Sequence, residues 1–199
     1  NPRRVLGTGT ALDTARLRYL LGDYFHVDPR NMHAYVMGEH GDSEFVPWSQ
    51  AMLATKPVLE LCRQSGGRYC SEELDKIAEE VRTAAYKIIE AKRATYYCIG
   101  MALTRITRAV FGNESSVLTV SAMLRGEYGQ KDVFVGVPCI VNRSGIQRVL
   151  ELNLSEEEQA RQGNYEYNTL KSANARIKEL ESQLASENGT TNANADYIA

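Results

Sequence analysis

The chain has 199 residues, 43% of them hydrophobic and 24% charged, with a formal net charge of −2. That length allows one sizeable core, or one domain with an appendage, and the composition is ordinary for a globular protein. The charge balance gives no electrostatic footprint for nucleic acid or an anionic membrane, no apolar run reaches the length of a membrane span, and no signal-peptide pattern opens the chain. Cys62, Cys70, Cys98 and Cys139 lack C-x-x-C spacing, so they read as reduced, partly buried thiols of a cytoplasmic protein, with no zinc-ligand or nucleophile context.

In chain order, Gly7-Thr8-Gly9-Thr10 reads as a turn that leads into a helix over 12–24, with a partial apolar stripe of Leu12, Ala15, Leu17 and Leu20. His26 falls in a loop and carries no assigned role. The apolar run 33–37 reads as a strand, and it delivers the segment Gly38-Glu39-His40-Gly41-Asp42-Ser43. Val46-Pro47-Trp48-Ser49 opens a short helix, and Gly66-Gly67 marks a loop. A long helix starts at Ser71, taken as N-cap, with Glu72 and Glu73 in its first turn. Leu74, Ile77, Val81, Ala84 and Ile88 keep helical spacing and are expected to face a core. A second stripe of Ile99, Leu103, Ile106 and Val110 runs toward Gly112, and a kink at Lys92-Arg93-Ala94-Thr95 separates the two. Segments 117–120 and 133–141 read as strands, 142–145 as a turn, and 146–152 as a further strand. Ser155 caps a last helix beginning with three glutamates.

After Arg161, Leu170, Ala173, Ile177, Leu180 and Leu184 recur at spacings of three and four, a heptad-like stripe. It reads either as an amphipathic helix packed on its own domain or as a partner helix. Residues 188–199 are small and polar and are expected to be disordered. The expected organisation is a substrate-binding and catalytic domain over 1–160, the heptad-like helix over 161–187 and a tail over 188–199.

The chemistry concentrates in two places. A histidine set between glycines after a strand is well presented, and imidazole exchanges protons near neutral pH. The same segment also reads as a polar turn with a solvated histidine. Asp13 and Arg16, three apart, share one helix face. A carboxylate fixes the tautomer of an imidazole and favours its charged form, while a guanidinium grips a substrate carboxylate through parallel hydrogen bonds. Together, Asp13, Arg16 and His40 would hold a small carboxylic acid beside a proton donor. Read blandly, Asp13–Arg16 is a surface ion pair.

The run Val5-Leu6-Gly7-Thr8-Gly9-Thr10-Ala11-Leu12-Asp13-Thr14-Ala15-Arg16, followed by Gly38-Glu39-His40-Gly41-Asp42-Ser43, closely resembles the L-lactate dehydrogenase family, within the lactate/malate dehydrogenase superfamily. The likeness continues through 46–51, 92–100 and 133–138 and covers residues 1–160. It implies an α+β fold of mixed helices and antiparallel sheet, the C-terminal domain of that family, and interconversion of pyruvate and L-lactate with NAD in the cytoplasm. His40 resembles the acid/base histidine, Asp13 the aspartate that orients it, and Arg16 the arginine that grips the substrate carboxylate. Thr95 resembles a small residue of the substrate pocket, and its other reading is an ordinary helix residue. Arg18 and His33 stand where bacterial members bind fructose 1,6-bisphosphate at a subunit interface, which implies an activator and a homo-oligomer, a tetramer in the family. Read otherwise, they are two exposed polar residues.

No G-x-G-x-x-G follows an opening strand, and Gly7-Thr8-Gly9-Thr10 lacks the third glycine and the surrounding strands. The family's NAD-binding Rossmann domain is therefore expected to lie before the point where this sequence starts, with the chain as given inactive by itself. L-malate or another 2-hydroxy acid is the alternative substrate, and a non-catalytic assembly module is the alternative of a different class.

Overall fold

Helix α1 (Ala11–Phe25) follows the Gly7–Thr10 turn and ends at His26, whose left-handed backbone (φ 56°) lets its N–H bond back to the Asp23 and Gly22 carbonyls. The structure, a computed structural model, describes residues 1–163, which form one unit. The heptad-like stripe and the polar tail expected beyond Gly163 lie outside the described residues.

The face that α1 turns inward differs from the stripe expected from its apolar residues. Leu17, Leu21 and Phe25 are buried, but so are Asp13 and Thr14, while Ala15 is exposed. The physical reason is a set of hydrogen bonds to the segment that follows. The Thr10 hydroxyl donates to the Val36 carbonyl at 2.6 Å, and the Thr14 hydroxyl accepts from the Val36 N–H at 2.9 Å. One turn further along the same face, Arg18 Nε donates to the Ala34 carbonyl at 3.0 Å.

These bonds also explain why the expected strand over 33–37 is mostly absent. Only β1 (Met32–His33) joins a ladder, pairing with β2 (Met52–Leu53), which pairs in turn with β3 (Lys56–Pro57). From Ala34 to Val36, backbone groups that would face a neighbouring strand face the side chains of α1 instead, which satisfies them equally well. Helix α2 (Val58–Gln64) follows, and both α2 and the short β2–β3 hairpin were illegible in the apolar pattern. The short helix expected to open at 46–49 is a single 3₁₀ turn over Trp48–Gln50.

Helix α3 (Ser71–Lys92) takes in Ser71 as its first residue, so the cap lies one residue earlier than expected: Cys70 is the extended N-cap residue and its side chain makes no capping bond. Leu74 and Val81 reach the core, and Ile77 packs against it. The helix stops at Arg93, whose left-handed backbone (φ 61°) forms the expected break, and α4 (Tyr97–Phe111) resumes after Thr95 and Tyr96. On α4 only the second half of the apolar stripe is covered. Ile106 is buried, whereas Ile99 and Leu103 are 41% and 50% exposed.

The larger sheet is antiparallel, with order β4 (Ser116–Arg125), β5 (Lys131–Asn142), β6 (Gly145–Val149), the last ending earlier than expected. Val120, Val135, Val137, Cys139 and Val141 are buried on it. Two backbone bridges attach the N-terminal segments to this sheet. Gly7 exchanges hydrogen bonds with Ser121 at 3.1 Å, and Gly38 exchanges them with Gly136 at 2.8 Å. A Cβ on Gly136 would sit 2.7 Å from the Gly38 carbonyl and 2.8 Å from Thr10 Oγ1, so only glycine permits this close approach.

Helix α5 (Glu156–Gly163) begins with a reciprocal cap: the Glu158 N–H donates to Ser155 Oγ at 3.3 Å and the Ser155 N–H to Glu158 Oε2 at 2.9 Å. The Glu158 carboxylate also accepts from the Ser49 N–H at 3.0 Å and the Ser49 hydroxyl at 2.5 Å, tying α5 to the Trp48 turn. All four cysteines are free, with Cys62 and Cys139 buried. Among the described residues no helix is long and apolar enough to cross a membrane.

Candidate active site

The His40 segment leaves the sheet at Gly38, whose φ of 103° turns the chain sharply, and returns at Phe45. Met37 and Phe45 close the loop by exchanging backbone hydrogen bonds at 2.9 and 3.0 Å. Helix α1 presents Asp13 to this loop, and His40 Nδ1 lies 2.7 Å from Asp13 Oδ2. The Asp13 side chain is only 4% exposed, so its carboxylate is fixed, whereas the imidazole is 53% exposed. Nε2 makes no hydrogen bond among the described residues, which leaves it available to a ligand.

Arg16 stands on the same helix face. Its Nη1 lies 3.5 Å from Asp13 Oδ1 and 3.5 Å from the Val81 carbonyl of α3. These are long contacts, and they leave the rest of the guanidinium fork free among the described residues. The expected trio of Asp13, Arg16 and His40 is thus brought together. Thr95 is half-buried in the break between α3 and α4, as expected, and no hydrogen bond joins it to the trio.

Three side chains of the site were not singled out in the sequence. Glu44, on the returning arm of the loop, places Oε2 3.7 Å from His40 Nδ1 with its side chain 5% exposed. Arg82 Nη1 donates to the Asp42 carbonyl at 3.0 Å, and the Tyr86 hydroxyl donates to Asp42 Oδ1 at 3.0 Å. Helix α3 therefore holds both Arg16, through Val81, and the histidine loop, through Asp42. Arg82 and Tyr86, four apart beside the Leu74–Val81 stripe, share a helix face, but nothing in that spacing says what the face touches.

Electrostatics follow from this packing. Hydrogen bonding to Asp13 first, then to Glu44, pushes His40 up from 6.5 to about 10, although partial burial works against the charged ring. Burial pushes the Glu44 carboxyl above the usual carboxylate range, His40 opposing that shift. The imidazolium form is thereby favoured at neutral pH, which suits a proton donor.

The two residues of the expected bisphosphate site fall on neighbouring elements. Arg18 stacks over the Tyr35 ring, 4.9 Å from its centroid, and bonds the Ala34 carbonyl. His33 is exposed on β1, and no hydrogen bond or ion pair joins the two.

The described residues do not fit a dinucleotide. Both sheets are antiparallel, and the glycine turn before α1 is bridged to β4 by Gly7, with no parallel strand feeding it. A Cβ on Gly9 would lie 2.5 Å from the Ser121 backbone nitrogen, so that glycine serves packing against β4.

Residues 10–185 match the family described as lactate/malate dehydrogenase, alpha/beta C-terminal domain. The chain is 57% identical to L-lactate dehydrogenase 2 of a Bacillus cereus strain over 158 residues, 79% of this chain and 50% of that protein. It is 52% identical to an L-lactate dehydrogenase of Bacillus caldolyticus over 174 residues, 87% of this chain and 54% of that one. Among solved structures, the minor L-lactate dehydrogenase from Enterococcus mundtii, in its ligands-bound form, superposes with a TM-score of 0.81 at 44% identity. That match covers 86% of this chain and 54% of the other. The chain thus spans about half the length of the curated relatives it matches. On its sequence, its fold and the extent of these matches, the chain belongs to the lactate/malate dehydrogenase family and carries that family's alpha/beta C-terminal domain.

Proposed function

We propose that this chain is the substrate-binding and proton-transferring half of an L-lactate dehydrogenase that interconverts pyruvate and L-lactate. The observation that carries the proposal is the buried Asp13 carboxylate 2.7 Å from His40 Nδ1, with Arg16 beside it on α1. The Arg16 guanidinium binds the carboxylate of the 2-keto acid through parallel hydrogen bonds. His40, charged and held through Nδ1, directs Nε2 to the keto oxygen and donates its proton as negative charge develops there. In the reverse direction the neutral ring takes the proton of the L-lactate hydroxyl, and Asp13 stabilises the imidazolium that forms. Thr95, at the α3–α4 break, lines the pocket beside the methyl group. NAD is the hydride carrier that the relatives' activity calls for, and none of the described residues is assigned to it.

The protein acts as a homo-oligomer, and fructose 1,6-bisphosphate activates it through Arg18 and His33. Support for self-association comes from α4, where Tyr97, Met101, Leu103 and Phe111 are all at least 50% exposed. Support for the anion site comes from the fixed Arg18 guanidinium near exposed His33.

The test joins this chain to the N-terminal half that its relatives carry and measures pyruvate-dependent oxidation of NADH. Wild type is expected to turn over, and His40→Ala to lose most of kcat, by about 10²–10⁴-fold for a general acid. Near-normal turnover of that variant overturns the assignment. Arg18→Gln is expected to lose activation by fructose 1,6-bisphosphate while keeping turnover at saturating pyruvate, and an unchanged response dismisses the regulatory site.

A further inference from the structure

Glu44 is a buried carboxylate whose nearest charged partner is the half-exposed ring of His40. No donor meets its Oε2 in full hydrogen-bond geometry among the described residues, and its side chain is 5% exposed. An ionised carboxylate in that position is costly unless a cation faces it, and the cation within reach is His40, 3.7 Å away. The loop brings the two side chains together. Gly38 and Phe45 are both fixed by backbone bonds, and the Glu44 N–H donates to the Gly41 carbonyl at 3.2 Å, so residues 40 and 44 stand on opposite arms of one closed turn.

We propose that Glu44 is a positioning residue, a second carboxylate that with Asp13 encloses the Nδ1 side of the His40 ring and leaves Nε2 as the nitrogen that meets substrate. This deepens the proton-donor role assigned to His40 and rests on it. Asp13 by itself is shared, since its other oxygen faces Arg16. Glu44 adds a second acceptor beside Nδ1, the two carboxylates and the ring offering atoms that all lie within 4.8 Å of one another, so a ring that tips away from Asp13 still meets negative charge.

The titratable and charged groups on the elements packed around His40 are few. Helix α1 brings Asp13 and Arg16. The loop brings Glu44, Asp42, and Glu39, whose carboxylate accepts from the Ser43 hydroxyl at 2.9 Å. Helix α3 brings Arg82, which pairs with Glu79 and bonds the Asp42 carbonyl, and Tyr86, which bonds the Asp42 carboxylate. Arg82 also acts on Glu44 through space and competes with His40 for its charge. Because Arg82 is already paired, His40 remains the partner whose protonation Glu44 controls.

The proposal is tested on the 199-residue chain by following the His40 ring by NMR as pH is raised. Glu44→Gln keeps the shape and removes the charge, and its His40 midpoint is expected to fall by about one pH unit or more. Glu44→Asp, charged but shorter, is expected to recover part of that fall. A Glu44→Gln midpoint equal to wild type overturns the proposal. Should Glu44→Gln fail to fold, wild type decides: the Glu44 Cδ signal is expected to step at the pH where His40 titrates, and a signal flat through that pH overturns the proposal. The readout needs no turnover. A joined enzyme that fails to reduce pyruvate sinks the functional reading alone, and an unmoved midpoint sinks this one alone.

Discussion

His40 carries its proton more tightly in the folded chain than in the unfolded one, and that difference is a pH-dependent contribution to stability. Its folded-state value is raised above its ordinary value, from 6.5 to about 10. The contribution is therefore fully present below about 6.5 and is lost as pH rises through about 10. Thermal melts of wild type and His40→Gln between pH 6 and 10 check the sign. The stability advantage of wild type is expected to shrink with rising pH, and an advantage that grows is the opposite of this account. The residue types at this site were legible in the sequence, because a histidine between glycines and an Asp–Arg pair three apart are chemical statements in themselves. Glu44, Arg82 and Tyr86 were not, since each acts through a contact across a turn or between α3 and the loop, which no local spacing encodes.

At the scale of elements, α1 is the organising piece, and its polar side chains take a role usually left to a sheet. Thr14 accepts from the Val36 N–H at 2.9 Å and from the Thr119 hydroxyl of β4 at 2.7 Å, while Thr10 takes the Val36 carbonyl. Replacing Thr14 by Val removes a buried acceptor but keeps the shape, leaving the Val36 N–H without a partner. The cost is expected to be about 1–3 kcal/mol, and chemical denaturation of Thr14→Val measures it. A wild-type midpoint in that variant contradicts the stitching of 34–36 to α1. The long helix α3 and the strands expected over 117–120 and 133–141 were legible in the sequence, because helix and strand periods are intrinsic to the backbone. The 33–37 strand was not, because an extended run announces unsatisfied backbone groups without saying which neighbour satisfies them.

For the molecule as a whole, the proposed function sets a proton donor, His40, among described residues that hold no seat for a hydride donor, and on that reading the separation governs what the 199 residues can do. Proximity supplies about 7–11 kcal/mol of barrier reduction in a well-oriented pair of reactants, and the described residues build no seat for a dinucleotide. The 199-residue chain alone is expected to show negligible pyruvate-dependent NADH oxidation. Rates near those of the joined enzyme contradict that expectation, and a steady-state assay of the purified chain settles it. The exposed half of the α4 stripe belongs to the same scale: Ile99 and Leu103 keep helical spacing, yet within the described residues nothing covers them. The sequence by itself determined the residue types gathered at the candidate site, the α+β class and the order of its main elements, since side-chain type and periodicity are local properties of the chain. Only the tertiary structure decided which face of α1 is inward, that Glu44 joins Asp13 around His40, and which half of the α4 stripe is covered. Each of these depends on groups far apart in sequence competing for the same space and the same hydrogen bonds.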